Sequence, residues 1–159
     1  MVKVHRMQIR FVESEAEIAL CLDLRRKVFM GEQGVSEDEE IDGLDPICRH
    51  VLAVDNGGAV AAARVKTSGD LAKIQRVCVS ASHRGQGLGA RMIEYILDRL
   101  RGEDTVSQVR LGAQIHALKF YERFGFRPVG ETYLDAGIPH QDMELALRQF
   151  RPAAGEKAP

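Results

Sequence analysis

The chain has 159 residues, 45% of them hydrophobic, and its 22 Lys and Arg nearly cancel 23 Asp and Glu, leaving a formal net charge of −1. A chain of this size buries about 68–70% of its unfolded surface around one core, so residues 1–150 are expected to form a single domain, and the balanced charge excludes a general attraction to nucleic acid or an anionic membrane. The N-terminal residues lack a long apolar core, no stretch approaches the roughly 18 apolar residues of a membrane span, and Cys21, Cys48 and Cys78 lack C-x-x-C spacing, which together predict a cytoplasmic protein with free thiols and no metal site.

Met7-Gln-Ile-Arg-Phe-Val12 alternates as a half-buried strand. Ser14 then offers an N-cap, with Glu15 and Glu17 in the first turn of a helix running to about Phe29. Ile18, Cys21, Leu22, Leu24 and Val28 make its core stripe, and Arg25 and Arg26 at the edge of that stripe read as snorkelling surface charges. Residues 30–46 are acidic, punctuated by glycine, and too long for a bare connector. They read either as a solvated loop or as a flap whose carboxylates attract a cationic amine. Segments 48–55 and 59–66 flank Asn56-Gly57-Gly58, a hairpin signal. Thr67-Ser-Gly-Asp70 turns the chain into a third antiparallel strand, 71–80. An amphipathic helix is expected over 88–101, then a strand at 105–112, parallel to 71–80 because a helix intervenes. A short helix follows from Ile115 to about Phe124, ended by Gly125. Segments 126–134 and 140–147 form a last strand pair around Gly137-Ile-Pro139, and residues 151–159, rich in Ala, Pro and charge, read as a disordered tail.

Chemistry concentrates where Ile74-Gln-Arg-Val-Cys-Val-Ser80 runs through His83 and Arg84 into glycines at 85, 87 and 89. The helical run of Leu88, Met92, Ile93, Ile96, Leu97 and Leu100 comes next. The first turn of a helix leaves backbone N–H groups without intrahelical partners, and the aligned peptide dipoles place roughly half a positive charge there. Glycines let a phosphate approach that backbone, while His83 and Arg84 add donors at the rim, each charge-assisted bond contributing about 1.5–3 kcal/mol. The loop is neither GxxxxGK(S/T) nor GxGxxG, because its glycines run Gly-x-Gly-x-Gly.

Arg84-Gly-Gln-Gly-Leu-Gly89 after a Val-Cys-Val strand resembles the acyl-CoA-binding signature (Q/R)-x-x-G-x-(G/A) of the GNAT superfamily of N-acetyltransferases. Arg84 opens that motif, Gly87 is its fixed glycine and Gly89 its small last residue. The resemblance implies that the backbone from Arg84 through Gly85, Gln86, Gly87, Leu88 and Gly89 to Ala90 holds a CoA pyrophosphate. Gln114-Ile-His-Ala117-Leu-Lys-Phe-Tyr121-Glu-Arg-Phe-Gly125-Phe126 is similar to a second pattern of the family, N-x-x-A-x-x-x-Y-x-x-x-G-F. Ala117 and Tyr121 match it; Gln114 departs from it, keeping the amide that binds CoA backbone and adding a methylene. Val28-Phe29, Glu32 to Val35, Glu40 to Asp42, Asp45 and Gly137 to His140 extend the resemblance to the ElaA-like branch. It implies an α/β (α+β) fold: a mixed, mostly antiparallel central sheet of about seven strands, a parallel, splayed central pair, and about four flanking helices. It also implies acetyl-CoA as cosubstrate.

Moving an acetyl group from a thioester to a primary amine in a ternary complex requires a neutral amine, donors toward the developing oxyanion, and a proton for the departing thiolate. By the resemblance, strand amides at Val77, Cys78 and Val79 face the acyl group and Tyr121 holds the general-acid position, while Arg76 reads as a charge on the strand face. The base stays open among His140, Glu32, His50 and Asp142. Pro139 fixes the backbone ahead of His140, and alternation puts His140 and Asp142 on one face, where the carboxylate orients the imidazole. An unperturbed imidazole titrates near ~6.5, within reach of an amine proton at neutral pH. Glu32 is the rival base, and His116 lines the short helix. The alternative to an acetyltransferase is a catalytically silent acyl-CoA-binding sensor or interaction module of the same fold; a nucleotide-binding regulator leaves the second motif unexplained. The expected partners are acetyl-CoA and an unidentified amine acceptor, without nucleic acid or membrane, the protein being a monomer or homodimer.

Overall fold

Asn56 and Gly57 both adopt positive φ, 51° and 80°, which suits a two-residue turn and matches the right-handed twist of the strands it joins. The computed structural model describes residues 7–147; the tail expected at 151–159 lies outside the described residues. Its strands are β1 (Met7–Phe11), β2 (Arg49–Asp55), β3 (Gly58–Ser68), β4 (Leu71–Val79), β5 (Gln108–Gln114), β6 (Arg127–Asp135) and β7 (Ile138–Ala146). They form one seven-stranded sheet ordered β1-β2-β3-β4-β5-β7-β6. Every neighbouring pair is antiparallel except β4 and β5. That pair is parallel because a helix carries the chain back between them.

Four α-helices flank the sheet: α1 (Glu15–Arg25), α2 (Glu37–Glu40), α3 (Leu88–Arg101) and α4 (Leu118–Glu122). Ser14 caps α1 by accepting from the Glu17 amide at 3.2 Å. Beyond α1 the helical path widens into a π-helical stretch, Arg26–Glu32, in which Gln33 N–H reaches Val28 O, so the chain stays helical past the expected end at Phe29. All six apolar residues expected on the buried stripe of α3 are buried, packing with Val51, Ala53, Ala61, Ala63 and Ile74 on one face of the sheet. On the opposite face α1 buries Cys21 and Leu24, and the π-helical stretch Val28, against Leu52, Ala62 and Cys78, while Ile18 and Leu22 are only half-buried. Alternation along β2 and β3 sends neighbouring residues into the two cores, which is why both strands read as continuous apolar runs. Each fully buried Leu, Ile or Met contributes about 1.5–3 kcal/mol.

Arg25 is not a surface charge. It is 0% exposed, with Nε donating to Glu40 at 2.8 Å and NH1 to Asp45 at 2.6 Å. Arg64, equally buried, donates to Asp42 at 2.5 Å, to Asp45 at 3.0 Å and to Gln75 at 3.0 Å. The acidic segment is therefore neither a solvated loop nor a free flap at these three carboxylates. A buried arginine must be paired to offset its desolvation, and the carboxylates of Glu40, Asp42 and Asp45 supply the pairs that pull the segment onto the sheet. Arg26 does remain exposed.

The same network holds a bulge. Ala62 pairs with Cys78 but Arg64 with Gln75, so β4 carries one extra residue, and Arg76 takes φ 56°. That conformation costs a non-glycine residue about 1–2 kcal/mol. The guanidinium of Arg76 offsets it by donating to the Glu39 and Glu40 carbonyls at 3.2 and 3.1 Å, with Glu40 Oε1 3.3 Å from Nε. Arg76 thus leaves the strand face and clamps α2.

Candidate active site

The ladder between β4 and β5 ends at Ile74 and Leu111. Past that point the strands diverge, and a cavity of about 620 Å³ fills the gap. Helix α1 packs chiefly on β2, β3 and β4, and α4 on β5. The face of β5 and β7 that carries Arg110, Gly112, His140 and Asp142 fronts the cavity instead of a helix.

Val77, Cys78 and Val79 line the cavity. Ser80 N–H donates to Val60 O at 2.8 Å on the β3 edge, so strand alternation turns the Val79 amide to the opposite edge, into the gap. The Cys78 side chain instead points into the α1 core, where burial pushes its thiol up to about 12. Burial likewise pushes Cys21 up to about 11, so neither is a thiolate at neutral pH.

The turn expected to bind phosphate continues outward from Arg84, the last of its residues in the cavity wall. Gly85 and Gly87 sit at φ 74° and 78°, where a Cβ is strained. The first α3 amide with an intrahelical partner is Arg91, which donates to Gly87 O at 3.1 Å. The Leu88, Gly89 and Ala90 amides precede it, at a helix N-terminus that no side chain caps. A methyl added at Gly89 would lie in ordinary contact, 3.5 Å from Phe120, where α3 approaches α4. Gln86 braces the turn by donating to Ser82 O at 3.3 Å. His83 is engaged inside it, its ring nitrogens 2.8 Å from Asp55 and 2.7 Å from Ser82.

Arg84 and Glu32, selected for separate roles, meet each other: NH1 lies 2.6 Å from the Glu32 carboxylate, and Nε donates to Val79 O at 3.0 Å. The hydrogen bond from Arg84 to Glu32 raises the guanidinium pKa further. Gln114 donates to Gln33 at 3.0 Å and accepts from His116 at 2.8 Å, beside Ala117 in the wall. Tyr121 stands on α4, 9% exposed, its ring edge-on to Phe120 and Phe126 at 4.9 and 6.0 Å. Burial pushes its phenol up to about 12, so the proton stays on oxygen at neutral pH.

His140 also lines the cavity and is 9% exposed. Its Nδ1 is 2.7 Å from Ile138 O. A carbonyl only accepts, so in the neutral ring Nδ1 carries the hydrogen and Nε2 the lone pair. The expected orienting bond from Asp142 is absent from this arrangement: Asp142 Oδ1 accepts from the Tyr133 hydroxyl at 2.6 Å. The Tyr133 ring stacks on the imidazole, centroids 5.9 Å apart and planes at 24°. Residue alternation did bring His140 and Asp142 to one face, but the partner strand inserted a tyrosine into their geometry. The turn Ala136-Gly137, with φ of 50° and 74°, carries the signal that finds it, because counting back from Asp135 opposite Ile138 pairs Tyr133 with His140. His50 lies elsewhere, buried, with Nε2 2.9 Å from Asp45 O. Among the described residues no cluster of His, Cys, Asp and Glu is placed to hold a metal, and no helix is long and apolar enough to cross a membrane.

A mixed seven-stranded sheet splayed at one parallel pair, with an uncapped helix N-terminus beside the gap, is the architecture of the GNAT fold, and the match to known proteins is specific. A family model described as acetyltransferase (GNAT) domain matches residues 22–147, and the chain belongs to that family. ElaA of Escherichia coli strain K12 is 38% identical over 140 residues, covering 86% of this chain and 92% of that protein. The solved E. coli ElaA structure superposes with a TM-score of 0.78 at 34% identity, over 89% of this chain and 99% of that one. An acyl-CoA N-acyltransferase from Pseudomonas aeruginosa gives a TM-score of 0.80 at 32% identity, over 89% and 99%. A GNAT family acetyltransferase from Elizabethkingia anophelis with acetyl-CoA bound shares the fold, with a TM-score of 0.68 at 14% identity over 88% and 97%.

Proposed function

We propose that the protein transfers an acetyl group from acetyl-CoA to a primary amine, directly, in a ternary complex. One observation carries the reading: a single cavity in the β4–β5 gap is bounded by the Val79 strand edge, by Tyr121 and by His140, and it adjoins the Arg84–Ala90 turn. In this reading the Leu88, Gly89 and Ala90 amides hold the CoA pyrophosphate. The Val79 N–H donates to the acetyl oxygen as it gains charge. Tyr121 gives its proton to sulfur as the C–S bond breaks, and His140 Nε2 takes the proton that nitrogen loses as the C–N bond forms. The products are an amide and free CoA thiol, and Tyr121 regains a proton from solvent. The pairing of Glu32 with Arg84 supports a bracing role for this carboxylate and leaves His140 as the base. Family membership and the likeness to ElaA support the reaction class. A cytoplasmic setting suits Cys21 and Cys78, which are free and buried.

The test is thiol release from acetyl-CoA across a panel of primary amines, with mass detection of the product. Acetylated product from at least one amine is expected. Tight CoA binding with no acetylated product from any amine supports the silent sensor instead.

A further inference from the structure

We infer that the acceptor is taken up as a primary ammonium ion seated on Asp142, in a subsite whose shape Tyr133 and Gly112 set; this rests on the acetyl-transfer reading above. Two other carboxylates of the cavity wall are neutralised by arginine, Glu32 by Arg84 and Glu40 by Arg25 and Arg76. Asp142 is not. Its bonded partner is the neutral hydroxyl of Tyr133 at 2.6 Å, and among the described residues no Lys or Arg pairs with it. A hydroxyl satisfies one oxygen and none of the charge. A half-buried carboxylate without a counter-cation, facing a cavity, favours a cationic ligand.

Gly112 shows that the arrangement is built. It stands opposite Asp142 in the β5–β7 ladder, in a strand interior where glycine weakens pairing. A Cβ there would lie 2.5 Å from the Tyr133 hydroxyl oxygen. The hydroxyl therefore occupies space that any other residue at 112 would fill.

A second group converges on the same space. His140, nine-tenths buried, lines the cavity with Nδ1 committed to Ile138 O and with no partner for Nε2 among the described residues. His140 and Asp142 lie about 7 Å apart along one face of β7, a span that an ammonium on Asp142 bridges. One ammonium proton passes to His140 Nε2 and on to solvent, the freed lone pair attacks the thioester carbon, and the neutral ring then takes the second proton as the C–N bond forms. Asp135 and Glu39 also line the cavity without a Lys or Arg partner among the described residues. Of the cations facing it from β4 and β5, Arg76 is held by Glu40, Lys73 and Arg110 sit where those strands still pair, and Arg110 is held by Glu144. The charge left over favours an acceptor with a second cationic group over one bearing a carboxylate.

Calorimetric titration of 1,4-diaminobutane into the CoA-saturated protein tests the subsite without turnover. The wild type should bind, and Asp142→Asn should weaken binding about tenfold to a hundredfold, the loss of a charge-assisted bond, with CoA affinity unchanged. Asp142→Glu should restore part of it. Tyr133→Phe and Gly112→Ala should each weaken it less, and together no more than the worse single change, because both remove one hydroxyl contact. Failure of the wild type to bind diaminobutane, equal affinity in Asp142→Asn, or a preference for glutamate overturns the subsite. Amine binding that depends on Asp142 without acetylated product overturns acetyl transfer and leaves the subsite standing. Acetylated product formed equally by Asp142→Asn at subsaturating amine does the reverse.

Discussion

Replacing Arg25 with methionine removes a fully buried cation while keeping much of the side-chain volume. Arg25 is 0% exposed and its two partners are Glu40, itself 2% exposed, and Asp45. In the variant Asp45 keeps Arg64 at 3.0 Å, but Glu40 keeps only the Arg76 guanidinium at 3.3 Å. One buried carboxylate thus loses its closest partner. Breaking a buried pair costs about 3–5 kcal/mol, because the remaining charge stays desolvated. That is about a fifth or more of the roughly 5–15 kcal/mol that holds a domain together. At about 2–4 °C per kcal/mol for a chain of this length, the melting temperature should fall by roughly 6–20 °C. The double variant Arg25→Met/Glu40→Leu removes both charges and should recover most of the loss. Thermal melts followed by circular dichroism at neutral pH measure both proteins. A single variant melting within about 2 °C of wild type, or a double variant less stable than the single, refutes the reasoning.

Acid should weaken the same network. The hydrogen bond from Arg64 holds the Asp42 carboxyl below the usual range; at Asp45 burial opposes ionisation, but hydrogen bonds from Arg25 and Arg64 outweigh it. The unfolded chain takes up these protons first, so the stability they contribute is complete above an unfolded carboxyl pKa of about 3.9 and is lost as pH falls below it. Asp42→Asn should flatten the acid limb of Tm against pH, and an unaltered limb contradicts the assignment. Gly87→Glu should abolish CoA binding in calorimetry through bulk and like charge, at a cost to the fold of about 1–2 kcal/mol for a side chain at φ 78°; wild-type CoA affinity would rule out the turn as the anion site. Tyr121→Phe should lower kcat about a hundredfold to ten-thousandfold with CoA affinity nearly unchanged. An unchanged kcat, with chemistry rate-limiting, removes Tyr121 from the reaction.

What was legible in the sequence shares one property: the groups involved are close along the chain. The α3 stripe repeats within successive turns, the Asn56-Gly57 turn depends on its own two φ angles, and Gly85, Gly87 and Gly89 lead straight into the helix whose amides they expose. The parallel order of β4 and β5 followed from the helix between them. Helix and strand ends were less legible, since π-helical widening after Arg25 and the start of β5 at Gln108 depend on packing and ladder partners. The chemistry of the site's surroundings was not local at all. Arg25 reaches carboxylates 15 and 20 residues away, and Arg64 reaches Asp42, 22 residues back, and the same Asp45, 19 residues back. No rule of spacing links such residues, and at the edge of a helical stripe a buried arginine looks like a snorkelling one. The sequence by itself determined which residues stand at the strand–turn–helix junction and which share a face of β7. Only the tertiary structure decided that β4 bulges at Arg76, that Arg84 closes on Glu32, and that Tyr133 rather than His140 bonds Asp142. Those outcomes depend on which buried charges find partners and on the register of neighbouring strands, and both are settled only when distant segments pack.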